Sequence, residues 1–136
     1  MRRISDCQCL IRESVVKLYP ENGPETVMVL KRGFARKAAA FIIPFGSEDK
    51  EMKKGDGKIV SFPPGTAHLL EHMLFESDGG SYARKFTAMG ATVNAYTASD
   101  RTAVFFTTTG DIFPPLSLLF EMLDNVDFPQ ALIDKE

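Results

Sequence analysis

Residues 91–97 (Ala-Thr-Val-Asn-Ala-Tyr-Thr) and 102–109 (Thr-Ala-Val-Phe-Phe-Thr-Thr-Thr) are two β-rich runs separated only by Ala98-Ser99-Asp100-Arg101. β-Branched and aromatic residues favour the half-buried surface of a strand, and runs joined this closely read as an antiparallel hairpin. Ser14 to Tyr19 and Thr26 to Leu30 resemble a second hairpin, with Pro20-Glu21-Asn22-Gly23-Pro24 as its turn. Ala38 to Phe45, containing Ile42, Ile43 and Phe45, reads as a buried strand with Pro44 close to its end. Residues 46–60 are polar and Gly-containing and read as a mobile surface loop with a solvated charge run.

Helices are expected between and after these strands. Pro63-Pro64-Gly65-Thr66 stops a strand and starts a helix, with Thr66 as N-cap. In that helix Ala67, Leu70 and Leu74 share an apolar face suited to packing on a sheet. Ser81 caps a second helix containing Tyr82, Phe86 and Met89, and Gly90 ends it. Gly110-Asp111 opens a third through Leu116, Leu119, Phe120 and Leu123, with Pro114-Pro115 in its first turn. Asp127-Phe128-Pro129-Gln130 starts a fourth, with six residues after it. A helix that short is not stable alone, so the expectation is that the chain ends inside a domain.

The 136 residues, 44% hydrophobic and 25% charged, suit one ordinary soluble globular domain. With a net charge of −2 and no basic block, a nucleic-acid partner is not expected. No run of about 18 apolar residues suggests a membrane span. The basic residues of Met1-Arg2-Arg3 are not followed by an apolar run, so a secretory signal is not expected and the cytoplasm is the expected location. Cys7 and Cys9 read either as a metal or redox pair or as two incidental thiols; they are too few for a metal site by themselves.

Both histidines of the chain lie within His68-Leu69-Leu70-Glu71-His72, inside the first expected helix. A helix brings positions 68, 71 and 72 to one face, one turn apart. Two imidazoles at i and i+4 can hold one Zn²⁺, and the neighbouring carboxylate can take a proton from the water that the metal activates. The bland alternative is a helix face with two solvated histidines.

The run from Phe62 to Glu76, with His68-Leu69-Leu70-Glu71-His72 at its centre, resembles the active-site helix of the pitrilysin/insulinase metallopeptidases. Gly90-Ala91-Thr92-Val93-Asn94-Ala95-Tyr96-Thr97 resembles the family segment that follows it, and Phe128-Pro129 and Lys135-Glu136 resemble the start of the family's next helix. The resemblance extends in order and spacing from about Ser14 to the end, and is nearest to bacterial cytoplasmic members. It implies an α+β fold, a largely antiparallel sheet with helices on one face. Residues 1–136 would be the amino-terminal portion of such a domain. His68 and His72 would be zinc ligands, Glu71 the general base, and Asn94 and Ala95 part of a strand that pairs with an extended peptide substrate.

The family's third ligand is a Glu on the helix after Lys135-Glu136; Glu136 sits too early and Glu121 lies on the preceding helix. The expectation is therefore a zinc endopeptidase present as an inactive fragment, whose partner is a second half or a homologous subunit. Two alternatives stand beside it. One is a non-catalytic peptide-binding or partner subunit of the same fold. The other is a metalloenzyme of the S-ribosylhomocysteine lyase type, where the third ligand is a cysteine after the motif; here both cysteines precede it.

Overall fold

The computed structural model describes residues 2–4, 13–75 and 80–126. The chain divides into two compact units, residues 1–35 and 36–136. Cys7, Cys9 and the expected helix start at Asp127 lie outside the described residues.

The first unit is a three-stranded antiparallel sheet of β1 (Arg2–Ile4), β2 (Glu13–Tyr19) and β3 (Thr26–Lys31), in the order β1-β2-β3. The expected hairpin is present, with Leu18 opposite Thr26 and Glu13 opposite Lys31. The last pair is also an ion pair between the Lys31 ammonium and the Glu13 carboxylate.

The second unit holds β4 (Lys37–Ile43), β5 (Glu51–Lys53), β6 (Ile59–Ser61), α1 (Thr66–Leu74), α2 (Tyr82–Ala88), β7 (Ala91–Thr97), β8 (Thr102–Thr108) and α3 (Phe113–Asp124). Its main sheet is antiparallel with the order β4-β8-β7. The β7–β8 hairpin pairs Ala91 with Thr108 through Thr97 with Thr102. Because side chains alternate across a strand, Ala91, Val93, Ala95 and Thr97 share a face with Val104 and Phe106. That face meets all three helices: Leu74 of α1, Tyr82 and Phe86 of α2, and Leu118, Leu119 and Met122 of α3 join Ala91, Ala95, Val104 and Phe106 in one buried cluster. The fold is thus α+β, with helices on one face of an antiparallel sheet. The opposite face carries Asn94, Tyr96 and Phe105, the last two in edge contact with ring centroids 6.4 Å apart.

Two sequence expectations are corrected. The run Ala38 to Phe45 is not a fully buried strand but an edge strand, β4, on which Ala39, Phe41 and Ile43 are half-buried and Ile42 is 58% exposed. Helices cover only one side of the sheet, so an all-apolar run need not be covered on both. Residues 46–60 are not a plain loop, since they contain the antiparallel pair β5–β6. Those strands, Glu-Met-Lys and Ile-Val-Ser, are only three residues each, too short for period-two alternation to show.

Segment 46–49 grips the tip of the β7–β8 hairpin. The Ser47 and Glu48 amides donate to the carbonyls of Ala98 and Ser99 at 2.8 and 3.0 Å, and the Gly46 amide donates to Asp49 Oδ2 at 2.7 Å. At the same tip the Arg101 guanidinium hydrogen-bonds the Asp100 carboxylate and holds it below the usual carboxylate range. A Cβ on Gly46 would lie 2.5 Å from the Ala98 carbonyl oxygen and the Asp100 amide nitrogen, and would also strike the Arg101 nitrogen. These are backbone atoms of a paired turn and have little room to yield. Gly46→Ala is therefore expected to destabilise the protein by about 1–3 kcal/mol, measured by denaturant unfolding. An unchanged midpoint would show that the hairpin tip can move away.

Candidate active site

The helix that carries both histidines starts at a backbone turn rather than a side-chain cap. Its N-cap is Gly65, with φ +89°, a left-handed conformation that glycine adopts without strain. The expected N-cap, Thr66, is the first helical residue instead, and its hydroxyl donates back to the Pro63 carbonyl at 2.7 Å. Pro64 and Gly65 turn the chain sharply enough that a reversed hydroxyl contact replaces the forward one.

Successive residues of an α-helix are turned by about 100°. Ala67, Met73 and Leu74 are buried, with Leu70 half-buried between them. His68 and His72 fall on the opposite, exposed side. Their rings lie side by side with centroids 4.6 Å apart and planes inclined by 53°. Glu71 lies at the boundary between the two faces: its side chain is 16% exposed, against 66% for His68. The His68 Nδ1 is 3.9 Å from Glu71 Oε2. The carboxylate turns toward the sheet, where Oε2 accepts a hydrogen bond from the Thr97 hydroxyl at 2.5 Å.

Thr97 ends β7, the strand that packs beside α1 and forms one edge of the β4-β8-β7 sheet. The Ala98 amide donates to the Arg101 carbonyl across the turn. Hydrogen-bonding direction alternates along an antiparallel strand, so the amides of Tyr96 and Asn94 also point to β8, while those of Val93, Ala95 and Thr97 point to the other edge, which is open among the described residues. The Ala95 amide is met there by its neighbour: it donates to Asn94 Oδ1 at 2.9 Å. Ala95 itself is buried among the helices, and Asn94 stands exposed on the other face of the strand.

The structure thus brings His68, Glu71 and His72 together on α1 and places the edge strand carrying Asn94 and Ala95 beside them. Among the described residues no group of three His, Cys, Asp or Glu side chains converges as a metal site. Thr97 was missed by sequence reasoning. Strand periodicity puts it on the same face as Ala95, but no local pattern names the helical residue it meets. An apolar cavity of about 180 Å³, lined by Leu70, Leu74, Ile43, Phe45 and Leu123, lies on the buried side of α1, away from the histidines. No helix among the described residues is long and apolar enough to cross a membrane.

Comparison with known proteins places this arrangement in context. Residues 62–136 match the family model described as Insulinase (Peptidase family M16). The chain is 32% identical over 127 residues to the uncharacterized zinc protease YmfH of Bacillus subtilis (strain 168), covering 93% of this chain and 30% of that protein. Its structure superposes with a TM-score of 0.84 on a candidate M16-like peptidase from Alicyclobacillus acidocaldarius, at 28% identity, over 93% of this chain and 30% of the other. The crystal structure of pitrilysin shares the fold at a TM-score of 0.55 and 23% identity, over 92% of this chain and 13% of pitrilysin. The chain therefore spans about a third or less of the length of these relatives.

Proposed function

Because the chain belongs to the insulinase family, peptidase family M16, we propose that it carries the metal-holding and proton-accepting face of a zinc-dependent peptide hydrolase. The observation that carries this reading is the arrangement of α1, with two adjacent imidazoles on its exposed side, a carboxylate turned beside them, and an open strand edge alongside. The family match also favours a peptidase over the lyase-type alternative.

The donor set fits zinc in part. Two imidazoles one turn apart are suitable ligands, and Glu71 is directed to Thr97 rather than to a shared point with the histidines. His68 and His72 would hold the ion, with a further donor supplied from outside the described residues. When bound, zinc supplies a Lewis acid that acidifies water near neutral pH and polarises a carbonyl. Glu71 accepts the proton of the attacking water on its second oxygen, Oε1, while Oε2 stays bound to the Thr97 hydroxyl. Val93, Ala95 and Thr97 offer outward N–H and C=O groups to an extended peptide, which is bound through its main chain and with little sequence preference. An incoming peptide carbonyl takes the place of Asn94 Oδ1 on the Ala95 amide. The substrate class proposed is therefore an extended peptide.

Chelator-sensitive cleavage of a quenched fluorescent peptide by the full-length protein tests the activity, and Ala95→Pro tests the docking edge. Proline removes one outward donor and, because that N–H faces away from β8, breaks no ladder hydrogen bond. KM is expected to rise about tenfold, the equivalent of one lost hydrogen bond of about 1.4 kcal/mol. An unchanged KM would take β7 out of substrate binding.

A further inference from the structure

The Thr97–Glu71 contact joins residues 26 positions apart and links the proposed proton acceptor to the proposed peptide-docking strand. We propose that Thr97 is a positioning residue for Glu71: its hydroxyl holds the carboxylate beside the open edge of β7, so that one residue sets both the base and the line along which a peptide lies. The assignment rests on the peptidase reading above and deepens it.

Three observations support it. The Oγ1 to Oε2 separation of 2.5 Å is in the range of a charge-assisted hydroxyl–carboxylate bond, which is stronger than one between neutral groups. His68 Nδ1, 3.9 Å from the same oxygen, is beyond hydrogen-bond reach of it. The donor is also held rigidly. Threonine is stiff at χ1, so the strand backbone sets the direction of the hydroxyl. That backbone is fixed on both sides: Thr97 pairs with Thr102, whose own hydroxyl donates to the Phe45 carbonyl at 2.9 Å, and the next residue, Ala98, is bound through its carbonyl by the Ser47 amide. A glutamate at the border of a helix face has three rotatable bonds and gains its fixed orientation from the sheet through this contact.

The outward amide and carbonyl of Thr97 belong to the same edge that would receive the peptide. The hydrogen bond therefore ties the position of the carboxylate to that of the edge along which the peptide would lie. This is the geometric requirement for an oriented water between the two.

The test compares Thr97→Val with Thr97→Ser in the full-length protein. Valine keeps the shape and strand preference and loses the hydroxyl; serine keeps the hydroxyl and loses the methyl. Crystal structures of the metal-free variants read the Glu71 rotamer directly, without reference to activity. Thr97→Val is expected to spread the Glu71 carboxylate over more than one rotamer, and Thr97→Ser to keep one. In peptide cleavage, Thr97→Val is expected to lower kcat about ten- to hundredfold with KM within about twofold, as for a misplaced catalytic group, and Thr97→Ser to restore most of the rate. A single unchanged Glu71 rotamer in Thr97→Val overturns the assignment, as does an equal fall in kcat for both variants. If no form of the protein cleaves peptides, the peptidase reading fails, and the rotamer comparison still decides the role of Thr97.

Discussion

Glu71→Gln in the full-length protein is expected to keep its zinc and lose turnover by about 10²–10⁴-fold, the usual contribution of a general base. The geometry makes this a clean substitution. The amide has the size and shape of the carboxylate, and its oxygen can still accept the Thr97 hydroxyl that meets Oε2 at 2.5 Å. Position is thus retained and only basicity is removed. The two histidines are separate side chains on the exposed face of α1, so metal content by elemental analysis is expected to stay at the wild-type value. Zinc lost together with activity would make Glu71 a structural support of the ligands. Turnover retained at the wild-type rate would remove it from the mechanism.

The His68→Ala, His72→Ala double variant is expected to lose stoichiometric zinc altogether. Structural and catalytic zinc sites use at least three protein ligands, so removing two leaves no site of useful affinity. The variant should nevertheless fold. The apolar packing of α1 runs through Ala67, Met73 and Leu74, whereas His68 and His72 are exposed, and alanine is the best helix former. The metal-free midpoint of unfolding is expected to stay within a few degrees of the wild type, equivalent to about 0.5 kcal/mol, the usual range for surface changes. Zinc retained at one equivalent would place the metal elsewhere in the protein. A large fall in metal-free stability would mean that the ring pair, 4.6 Å apart, packs as a structural element.

The reach of the sequence differs between neighbouring elements for identifiable reasons. The β7–β8 and β2–β3 hairpins were legible because each is a local pairing across a short turn, with strand-forming residues on both arms. Strand β4 was legible as a strand but not as an edge, because an apolar run does not say how many of its sides are covered. The β5–β6 pair was hidden, since its strands are only three residues each. At the start of α1 the signal Pro-Pro-Gly-Thr was right about the turn and wrong by one residue about the cap, because the positive φ of Gly65 turns the Thr66 hydroxyl back onto Pro63.

By itself the sequence determined that His68, Glu71 and His72 share one region of a helix and that the strand of Asn94 and Ala95 belongs to a hairpin. Both follow from the repeat of a single element over a few residues, which the chain carries locally. The tertiary structure alone decided which face of that strand the helices cover, so that Ala95 is buried and Asn94 exposed, with the Asn94 carboxamide turned onto the Ala95 amide. It also decided that Glu71 meets Thr97 and that Gly46 is pressed against the hairpin tip. The last two contacts join residues tens of positions apart. The first exists because one buried cluster packs α1, α2 and α3 onto the same side of the sheet. The second exists because β4 pairs with β8 as far as Ile43 opposite Thr102, which carries residue 46 to the hairpin tip. Neither fit is a property of any local pattern.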